Sequence, residues 1–281
     1  MSKKYENNEI IDKKNLAPSI KLMRIYAPLI SKKAKPGNFI ILRIYENGER
    51  FPLTIVDNDK NNGIITIIFQ EIGKSTKLLG NMEIGQKILD IIGPLGNPTK
   101  IEKYGNVCCI GGGVGVACIY PIAKALKEAG NKLITIIGAR NSSLIILEEE
   151  LKSISDEFYV CTDDGSKGFH GFVSDMLKKL LNEGKKIDIV YAVGPAIMMK
   201  VISDITKQYG IRTIVSLNSI MVDGTGMCGA CRVEINGETK FTCVHGPEFD
   251  GHKVNFDLLL KRLKMYEKYE LEALSSLNKI H

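Results

Sequence analysis

The stretch NVCCIGGGVGVACIYPIAKALKEAG, residues 106–130, decides the fold that this sequence predicts. Its first seven residues form an apolar run typical of a buried strand, and VACIYPIAKALKEAG is predicted to be a helix. Between the two lies a glycine-rich loop, whose members are Gly111, Gly112, Gly113, Val114 and Gly115. Glycines at such a turn let the backbone approach a pyrophosphate at the helix N-terminus. The stretch therefore predicts a dinucleotide-binding turn, with a tight turn that binds no ligand as the alternative.

The residues that follow continue the alternation of strands and helices. KLITIIGAR (132–140) and IDIVYAVG (187–194) read as strands, and AIMMKVISDITKQYG (196–210) reads as a helix. This alternation predicts a parallel sheet covered by helices, with ligands bound at the carboxyl ends of its strands. The candidate nucleotide-binding residues at those ends are Arg140, Gly194, Pro195 and Met198. The polar loop TDDGSKGFHG (162–171), which carries Asp163 and Asp164, reads equally well as part of this site or as a surface turn.

The N-terminal third has a different pattern. From residue 20 to residue 98, short isoleucine-rich runs such as NFIILRIYE (38–46) and GIITIIFQEI (63–72) alternate with turn signals. This spacing predicts a small antiparallel barrel or sandwich that ends at GPLGNP (93–98). The predicted organisation is a barrel over residues 1–100, an α/β domain over 101–220 and a C-terminal segment over 221–281.

Two features of the barrel region are candidate anion sites. Arg50 and Thr54 lie in ERFPLTI, where an arginine and a hydroxyl group at a strand end can bind a flavin phosphate and ring. The turn GKST offers backbone amides and two hydroxyl groups, and its members are Gly73, Lys74, Ser75 and Thr76. Each feature is also common in proteins that bind no such ligand.

The stretch DGTGMCGACRVEINGETKFTC (223–243) carries three cysteines with the spacing D-x4-C-x2-C-x11-C. Thiolates in a glycine-rich loop suit either zinc or an iron–sulfur cluster. His245 lies close enough in sequence to complete a zinc site. The nearby flavin and nicotinamide patterns favour the iron–sulfur cluster, because zinc has no redox chemistry. The other four cysteines are predicted to be core residues: Cys108, Cys109, Cys118 and Cys161.

Composition limits the remaining function classes. The chain has 281 residues, enough for two cores, and a net charge of +6. The N-terminal lysines are scattered and not interleaved with aromatic residues, so we expect a solvated surface and no nucleic-acid partner. The sequence shows no signal peptide and no apolar run long enough to span a bilayer. We therefore expect a cytoplasmic protein with no membrane partner, whose cysteines are thiols or metal ligands.

The motifs ERFPLTI, GKST, GPLGN, GGGVG, TDDGS, VGPAIMM, DGTGMCGACR and FTCVHGPEFDGH together resemble the ferredoxin–NADP reductase superfamily over nearly the whole chain. The resemblance lies in the branch of dihydroorotate dehydrogenase electron-transfer subunits. That branch has four cluster cysteines, whereas Asp223 stands at the first of these positions here. This departure is similar to the small subunits of NADH-dependent reduced ferredoxin:NADP oxidoreductases, which act in flavin-based electron bifurcation.

The resemblance implies three cofactors. FAD would lie against the barrel, with its pyrophosphate at Arg50 and the turn 73–76 and its ring near Pro52, Leu53 and Thr54. NAD(H) would lie over the loop 111–115 and the Gly194–Pro195 turn. A [2Fe-2S] cluster would have four ligands, namely Asp223, Cys228, Cys231 and Cys243. No catalytic acid or base is predicted, because the cofactors carry hydride and electron transfer.

The resemblance also implies a heterodimer. A larger subunit would carry a second flavin and [4Fe-4S] clusters, and NADP(H) and ferredoxin would react there. The tail 254–277 would lie near the joint surface with exposed leucines such as Leu258, Leu259 and Leu260, or would cap its own domain. Two other classes stay open: a dihydroorotate dehydrogenase subunit, which Asp223 argues against, and a zinc-stabilised nucleotide-binding regulatory protein.

Overall fold

The computed structural model describes residues 5–277, which form a barrel, an α/β domain and a C-terminal segment. The C-terminal segment packs against both of the other parts. Barrel and α/β domain also share one apolar core, in which Ile20, Val56 and Ile68 of the barrel meet Val116 and Ile119 of the α/β domain. None of the helices between residues 5 and 277 combines the length and the apolar character of a membrane-spanning segment.

Seven strands form the barrel: β1 (Ile10–Ala17), β2 (Ile20–Tyr26), β3 (Phe39–Arg43), β4 (Phe51–Thr54), β5 (Asp57–Asp59), β6 (Ile64–Gln70) and β7 (Asp90–Leu95). Two helices connect them: α1 (Pro28–Lys33) and α2 (Lys74–Asn81). The strands pair antiparallel in the orders β1-β2-β6-β5 and β4-β3-β7, which confirms the predicted small antiparallel barrel. Strand β1 was not predicted, because the centre of this edge strand is polar and lacks an apolar alternation.

The α/β domain has six strands: β8 (Asn106–Gly112), β9 (Lys132–Ala139), β10 (Glu157–Thr162), β11 (Phe169–His170), β12 (Ile189–Val193) and β13 (Arg212–Ser216). Four helices cover them: α3 (Gly115–Glu128), α4 (Glu148–Ile154), α5 (Val173–Asn182) and α6 (Ala196–Gln208). The order is β11-β10-β9-β8-β12-β13, and these pairs are parallel, as predicted. Strands β9, β10 and β11 lie on one side of β8, and β12 and β13 lie on the other, so the strand order reverses at β8. Such a switch point is where open α/β sheets bind ligands.

The C-terminal segment begins with a hairpin of β14 (Arg232–Ile235) and β15 (Glu238–Phe241). Asn236 and Gly237 join the two strands with φ angles of +53° and +79°, as a two-residue hairpin turn requires. Three helices and one strand follow: α7 (Thr242–His245), β16 (Glu248–Asp250), α8 (Phe256–Leu263) and α9 (Glu267–Leu277). Strand β16 pairs antiparallel with β13, so the segment after residue 220 adds an edge strand to the nucleotide-domain sheet. The predicted domain boundaries stay a prediction.

Helix α8 corrects one expectation about the tail. Leu258 is 37% exposed, but Leu259 is only 2% exposed and belongs to the core of the α/β domain. Leu260 is half-buried against the same core. The prediction of three exposed leucines is therefore wrong for Leu259, because α8 packs on α6 and β14 and caps its own domain.

Candidate functional site

A cleft of about 450 Å³ opens at the carboxyl ends of the parallel strands. It lies at the switch point beside β8 and has the size of a small-molecule site. The structure brings seven of the predicted nucleotide-binding residues into its lining: Gly112, Gly113, Val114, Arg140, Asp163, Pro195 and Met198. Four others do not line the cleft: Gly111, Gly115, Asp164 and Gly194.

The glycines outside the lining have a packing role. A Cβ atom at Gly115 would lie 2.4 Å from the carbonyl oxygen of Val193, and one at Gly111 would lie 2.8 Å from the Cα of Val116. Both distances are shorter than real Cβ contacts. The N-terminus of α3 can approach the ends of β8 and β12 only because these side chains are absent. This approach places the backbone amides of the loop at the cleft.

Sequence reasoning missed the second wall of the cleft. Its members are Leu144, Phe172, Val173, Ser174, Ile197 and Val201, joined by Ile20 and Gln70 from the barrel. A Cβ atom at Gly138 would lie 2.5 Å from Val173 Cγ1, so this glycine lets the start of α5 reach the cleft. The start of α5 follows the two-residue strand β11, which is too short to produce a sequence pattern. The two barrel residues reach the cleft only through tertiary packing.

Two acidic residues follow β10, and they have different positions. Asp163 lines the cleft together with Arg140. Asp164 accepts a hydrogen bond of 2.9 Å from the backbone N–H of Ser166, and hydrogen bonds from the Ser166 side chain and backbone lower the pKa of Asp164. Asp164 therefore shapes the turn, and Asp163 faces the site where a nucleotide would bind.

The predicted flavin phosphate site lies at the start of α2. Arg50 is exposed and makes no ion pair within the part of the chain that the structure describes. Ser75 donates a hydrogen bond to Glu49, which joins the segment before β4 to the N-terminus of α2. The Thr76 hydroxyl accepts the N–H of Gly73 at 3.1 Å and so caps the helix. An exposed guanidinium beside a helix N-terminus fits the chemistry of a phosphate group.

The predicted flavin ring contacts lie on β4 beside the nucleotide domain. Pro52, Leu53 and Thr54 are all half-buried, so this strand presents a partly open surface. The Thr54 hydroxyl is hydrogen-bonded to the thiol of Cys118 in α3, while burial raises the pKa of that thiol. This contact places β4 next to the helix that follows the glycine loop. The predicted flavin contacts therefore lie at the boundary between the barrel and the nucleotide domain.

The four predicted cluster ligands lie in one loop and are associated two by two. The Sγ atoms of Cys231 and Cys243 are 3.2 Å apart. The Asp223 carboxylate accepts the backbone N–H of Cys228 at 2.7 Å and also a hydrogen bond from the Cys228 thiol. No three His, Cys, Asp or Glu side chains between residues 5 and 277 converge on a single metal position. The loop thus offers two pairs of ligands and no single four-ligand site.

This pairing bears on the choice between zinc and an iron–sulfur cluster. A structural zinc ion needs four donors around one point. In a [2Fe-2S] cluster each iron takes two protein ligands, as in centres where two histidines replace two cysteines on one iron. His245 is exposed, and its Nδ1 accepts the N–H of Phe241 at 3.0 Å. The donor set therefore fits a two-iron cluster better than a zinc ion.

Local interactions prepare the loop for a metal cluster. The Asp223 carboxylate also accepts the N–H of Thr225 at 2.7 Å, and this bond is the main cause of its lowered pKa. Burial and the neighbouring Cys231 thiol raise the pKa of Cys243 to about 12. Metal binding would displace the thiol protons, because thiolates are the binding form.

The cluster loop and the flavin strand meet at one strand of the barrel. Phe39 and Ile41 of β3 form an apolar cluster with Cys231 and Cys243. Within the sheet, β3 pairs with β4, and Phe39 of β3 lies opposite Thr54 of β4. A single strand therefore separates the predicted flavin contacts from the two buried thiols.

The remaining cysteines behave as predicted. Cys108, Cys109 and Cys161 are buried in strands of the nucleotide-domain sheet, and Cys118 is half-buried in α3. Burial raises the pKa of Cys161 to about 12 and also raises the pKa of Cys108 and Cys109. Thiols with raised pKa values in apolar surroundings are poor metal ligands and poor nucleophiles.

Comparison with known proteins agrees with this geometry. Residues 218–255 match the iron–sulfur cluster binding domain of dihydroorotate dehydrogenase B, and residues 109–204 match the oxidoreductase NAD-binding domain. A dihydroorotate dehydrogenase B (NAD(+)) electron transfer subunit homolog from Thermotoga maritima is 51% identical, over 94% of this chain and 93% of its own. The dihydroorotate dehydrogenase B electron transfer subunit of Fusobacterium nucleatum is 32% identical, over 88% of this chain and 96% of its own.

A solved structure is similar over almost the full length. It is a chain from work on flavin-based electron bifurcation by an NADH-dependent reduced ferredoxin–NADP oxidoreductase. The TM-score is 0.91 at 49% identity, and the match covers 97% of this chain and 99% of the other. The fold is that of the ferredoxin reductases. The chain belongs to the family of dihydroorotate dehydrogenase B electron-transfer subunits and their homologues.

Proposed function

We propose that this chain is the electron-transfer subunit of a flavin-based, electron-bifurcating NADH-dependent ferredoxin:NADP oxidoreductase. It binds NAD(H), FAD and a [2Fe-2S] cluster, and single electrons pass between its cluster and a larger partner subunit. One observation carries the proposal: the cluster donors lie in one loop, and two of them, Cys231 and Cys243, pack against strand β3, which pairs with the strand of the predicted flavin contacts. The likeness at 49% identity to a chain of such an enzyme supports it.

The chain's residues bind and orient the two organic cofactors. Arg50 and the N-terminus of α2 hold the flavin pyrophosphate, and Pro52, Leu53 and Thr54 contact the ring. FAD, when bound, supplies the conversion between hydride and single electrons. The glycine loop holds the pyrophosphate of NAD(H), while Pro195 and Met198 border the nicotinamide end. No side chain of this chain needs to exchange a proton with the substrate.

Asp223, Cys228, Cys231 and Cys243 would hold the cluster, with Asp223 and Cys228 as one donor pair and Cys231 and Cys243 as the other. This assignment follows the two-by-two association of the donors. A carboxylate oxygen is a harder and less electron-donating ligand than a thiolate. We therefore infer that Asp223 raises the cluster's reduction potential, which depends on ligands and surroundings. A raised potential suits a cluster that receives the exergonic electron of a bifurcating enzyme.

The partner is a larger subunit with a second flavin and [4Fe-4S] clusters, where NADP(H) and ferredoxin react. The relatives are named as subunits, which implies a larger assembly. The surface around the cluster loop supports docking, because Met227 is 89% exposed and Val222 and Val244 are each 42% exposed. An exposed apolar patch of this kind marks an interaction surface.

A second candidate partner is a dihydroorotate dehydrogenase. The 32% identity to the Fusobacterium nucleatum subunit favours it. The two candidates differ in what the complete enzyme reduces, so one preparation distinguishes them. The complex would be purified anaerobically from its native host, through a tag on this chain at native abundance. NADPH-dependent and NADH-dependent reduction of ferredoxin would be measured beside NADH formation from dihydroorotate.

The expected result is a brown complex with a second polypeptide, FAD, iron and sulfide, which needs NADPH, ferredoxin and NAD⁺ together for turnover. Dihydroorotate oxidation would instead establish the second candidate. A zinc-containing, flavin-free protein would contradict both proposals. A lone chain that reduces ferredoxin from NADPH and NADH would contradict the heterodimer.

Cys243→Ser should lose the cluster, and Cys161→Ser is the matched control because that thiol is buried far from the loop in sequence.

A further inference from the structure

Two arginines contact the loop between Cys228 and Cys231 from outside. The Arg232 guanidinium donates a hydrogen bond of 3.2 Å to the carbonyl oxygen of Gly229. Arg262 reaches the loop from helix α8 and donates a hydrogen bond of 3.0 Å to the carbonyl oxygen of Ala230. These two side chains, called here the arginine pair, thus hold two successive peptide groups of the C-x-x-C loop.

The arginine pair has no acidic partner on the described part of the chain. Each of the two guanidinium groups donates to a carbonyl oxygen, and neither forms an ion pair there. The two guanidinium groups lie near each other because they bind consecutive carbonyl groups, and burial and the charge of Arg232 lower the pKa of Arg262. Two neighbouring cations repel each other, and a negative charge nearby offsets that repulsion. The loop that the arginine pair contacts carries the predicted thiolate ligands, which would supply this negative charge.

The arginine pair also fixes the direction of a peptide dipole. Gly229 contributes the carbonyl and Ala230 the N–H of one trans peptide group, so the two point in opposite directions. Arg232 holds the carbonyl outward, and the Ala230 N–H points to the Sγ of Cys228 at 3.5 Å. A cation on the oxygen polarises the amide and strengthens its hydrogen bond to sulfur. Hydrogen bonds to sulfur are one of the factors that set the potential of an iron–sulfur cluster.

We propose that Arg232 and Arg262 are positioning residues that raise the reduction potential of the [2Fe-2S] cluster. The inference rests on the proposed function, because it requires a cluster in this loop. Reduction adds one negative charge to a centre that already carries four anionic ligands. Two cations held against the loop and an oriented amide favour that added charge.

The test is an EPR-monitored redox titration of the holoprotein with its FAD and cluster in place. The variants are Arg232→Gln and Arg262→Gln, together with Arg232→Lys and Arg262→Lys, which keep the charge. Lys261→Gln is the matched control, since it removes one exposed positive charge from the neighbouring position on α8. Each Gln variant should lower the equilibrium constant for cluster reduction about tenfold, as a nearby charge in a medium of intermediate dielectric does. Tenfold corresponds to ~59 mV for a one-electron couple.

The Lys variants should retain most of the parent potential, and Lys261→Gln should match the parent. The FAD potential, measured in the same titration, should not follow the cluster potential. Gln variants with full iron content and an unchanged cluster potential would overturn the inference, and so would a shift equal to that of Lys261→Gln. Loss of iron from both Gln variants would assign the pair a structural role and overturn it as well. A parent protein without a [2Fe-2S] signal would instead refute the proposed function.

Discussion

Gly224 lies directly against Ile41, so the cluster loop rests on the barrel strand behind the predicted flavin contacts. A Cβ atom at residue 224 would lie 2.7 Å from Ile41 Cδ1 and 2.6 Å from Leu95 Cδ1. The φ angle of Gly224 is +75°, a conformation that L side chains rarely adopt. The loop can therefore reach the barrel only with glycine at this position. This contact sets how near the cluster ligands come to β3.

Gly224→Ala should displace the cluster loop from the barrel. The left-handed backbone costs about 1–2 kcal/mol for a residue with a Cβ atom, and the contact with Ile41 adds to this cost. We expect a lower iron content with normal FAD content, measured on anaerobically purified protein. Gly237→Ala is the matched control, because Gly237 has a φ angle of +79° and no atom within 4 Å of an added Cβ. Equal iron content in the two variants would show that the barrel contact does not matter.

Asp223 should be required for the cluster. Asp223→Ala removes both the predicted iron ligand and the acceptor for the backbone N–H groups of Thr225 and Cys228. We expect loss of iron, measured by metal analysis and EPR. Asp223→Cys should retain the cluster with a lowered potential, because a thiolate donates more electron density than a carboxylate. Asp223→Ala protein with full iron and an unchanged EPR signal and potential would contradict the assignment.

The sequence predicted those parts of the site that depend on local pattern. The glycine loop and the cysteine spacing each follow from residues close together in sequence. The approach of Gly138 to Val173 does not, because it joins a strand to a helix that comes over thirty residues later. The sequence pattern of one helix or strand does not show which other helix or strand packs against it.

The arginine pair shows the same limit at the cluster. Arg232 is adjacent to a cysteine in the sequence, but Arg262 is thirty residues away and lies on a helix that reads as an amphipathic tail. Only the packing of α8 on β14 and α6 brings its guanidinium to Ala230. The prediction that Leu259 is exposed was wrong for the same reason. An amphipathic pattern does not show which surface the apolar face of a helix packs against.

The cleft should bind NAD(H) more tightly than NADP(H). Arg140 is the predicted basic residue after β9, and Asp163 lines the same cleft with a negative charge that repels a 2′-phosphate. We expect NADH to reduce the flavin at a lower concentration than NADPH in anaerobic titrations. Asp163→Asn should reduce the discrimination about tenfold, which corresponds to about 1.4 kcal/mol of like-charge repulsion.

Asp164→Asn is the matched control for this prediction. Asp164 carries the same charge at the neighbouring position, but it does not line the cleft. The NADH to NADPH ratio should be close to that of the parent. Tighter binding of NADPH than NADH by the parent protein would contradict the prediction of cofactor preference.

Glu248 joins the C-terminal segment to the barrel. The Thr99 hydroxyl donates a hydrogen bond of 2.6 Å to its carboxyl group. Next to it, the backbone N–H of Asn97 donates to the carbonyl oxygen of Gly246 at 2.7 Å. Burial raises the pKa of Glu248 from 4.5 to about 7, although the bond from Thr99 acts in the opposite direction. The folded protein therefore keeps a proton that the unfolded chain releases near pH 4.5.

This raised pKa predicts how stability depends on pH. Because the folded state binds the extra proton, the contribution of Glu248 to the free energy of unfolding falls as the pH rises from 4.5 to 7, and it is constant above that range. Glu248→Gln cannot ionise, and its amide oxygen can still accept the Thr99 hydrogen bond. Relative to the parent, the variant should therefore gain about 2 kcal/mol in free energy of unfolding between pH 5.5 and pH 8.5. Urea unfolding of both proteins at several pH values measures the difference.

Glu238→Gln, a change at an exposed position on the hairpin, is the control. Its difference from the parent in free energy of unfolding should be the same at every pH from 5.5 to 8.5. Parent and Glu248→Gln curves that run parallel from pH 5.5 to 8.5 would show that Glu248 does not titrate in this range.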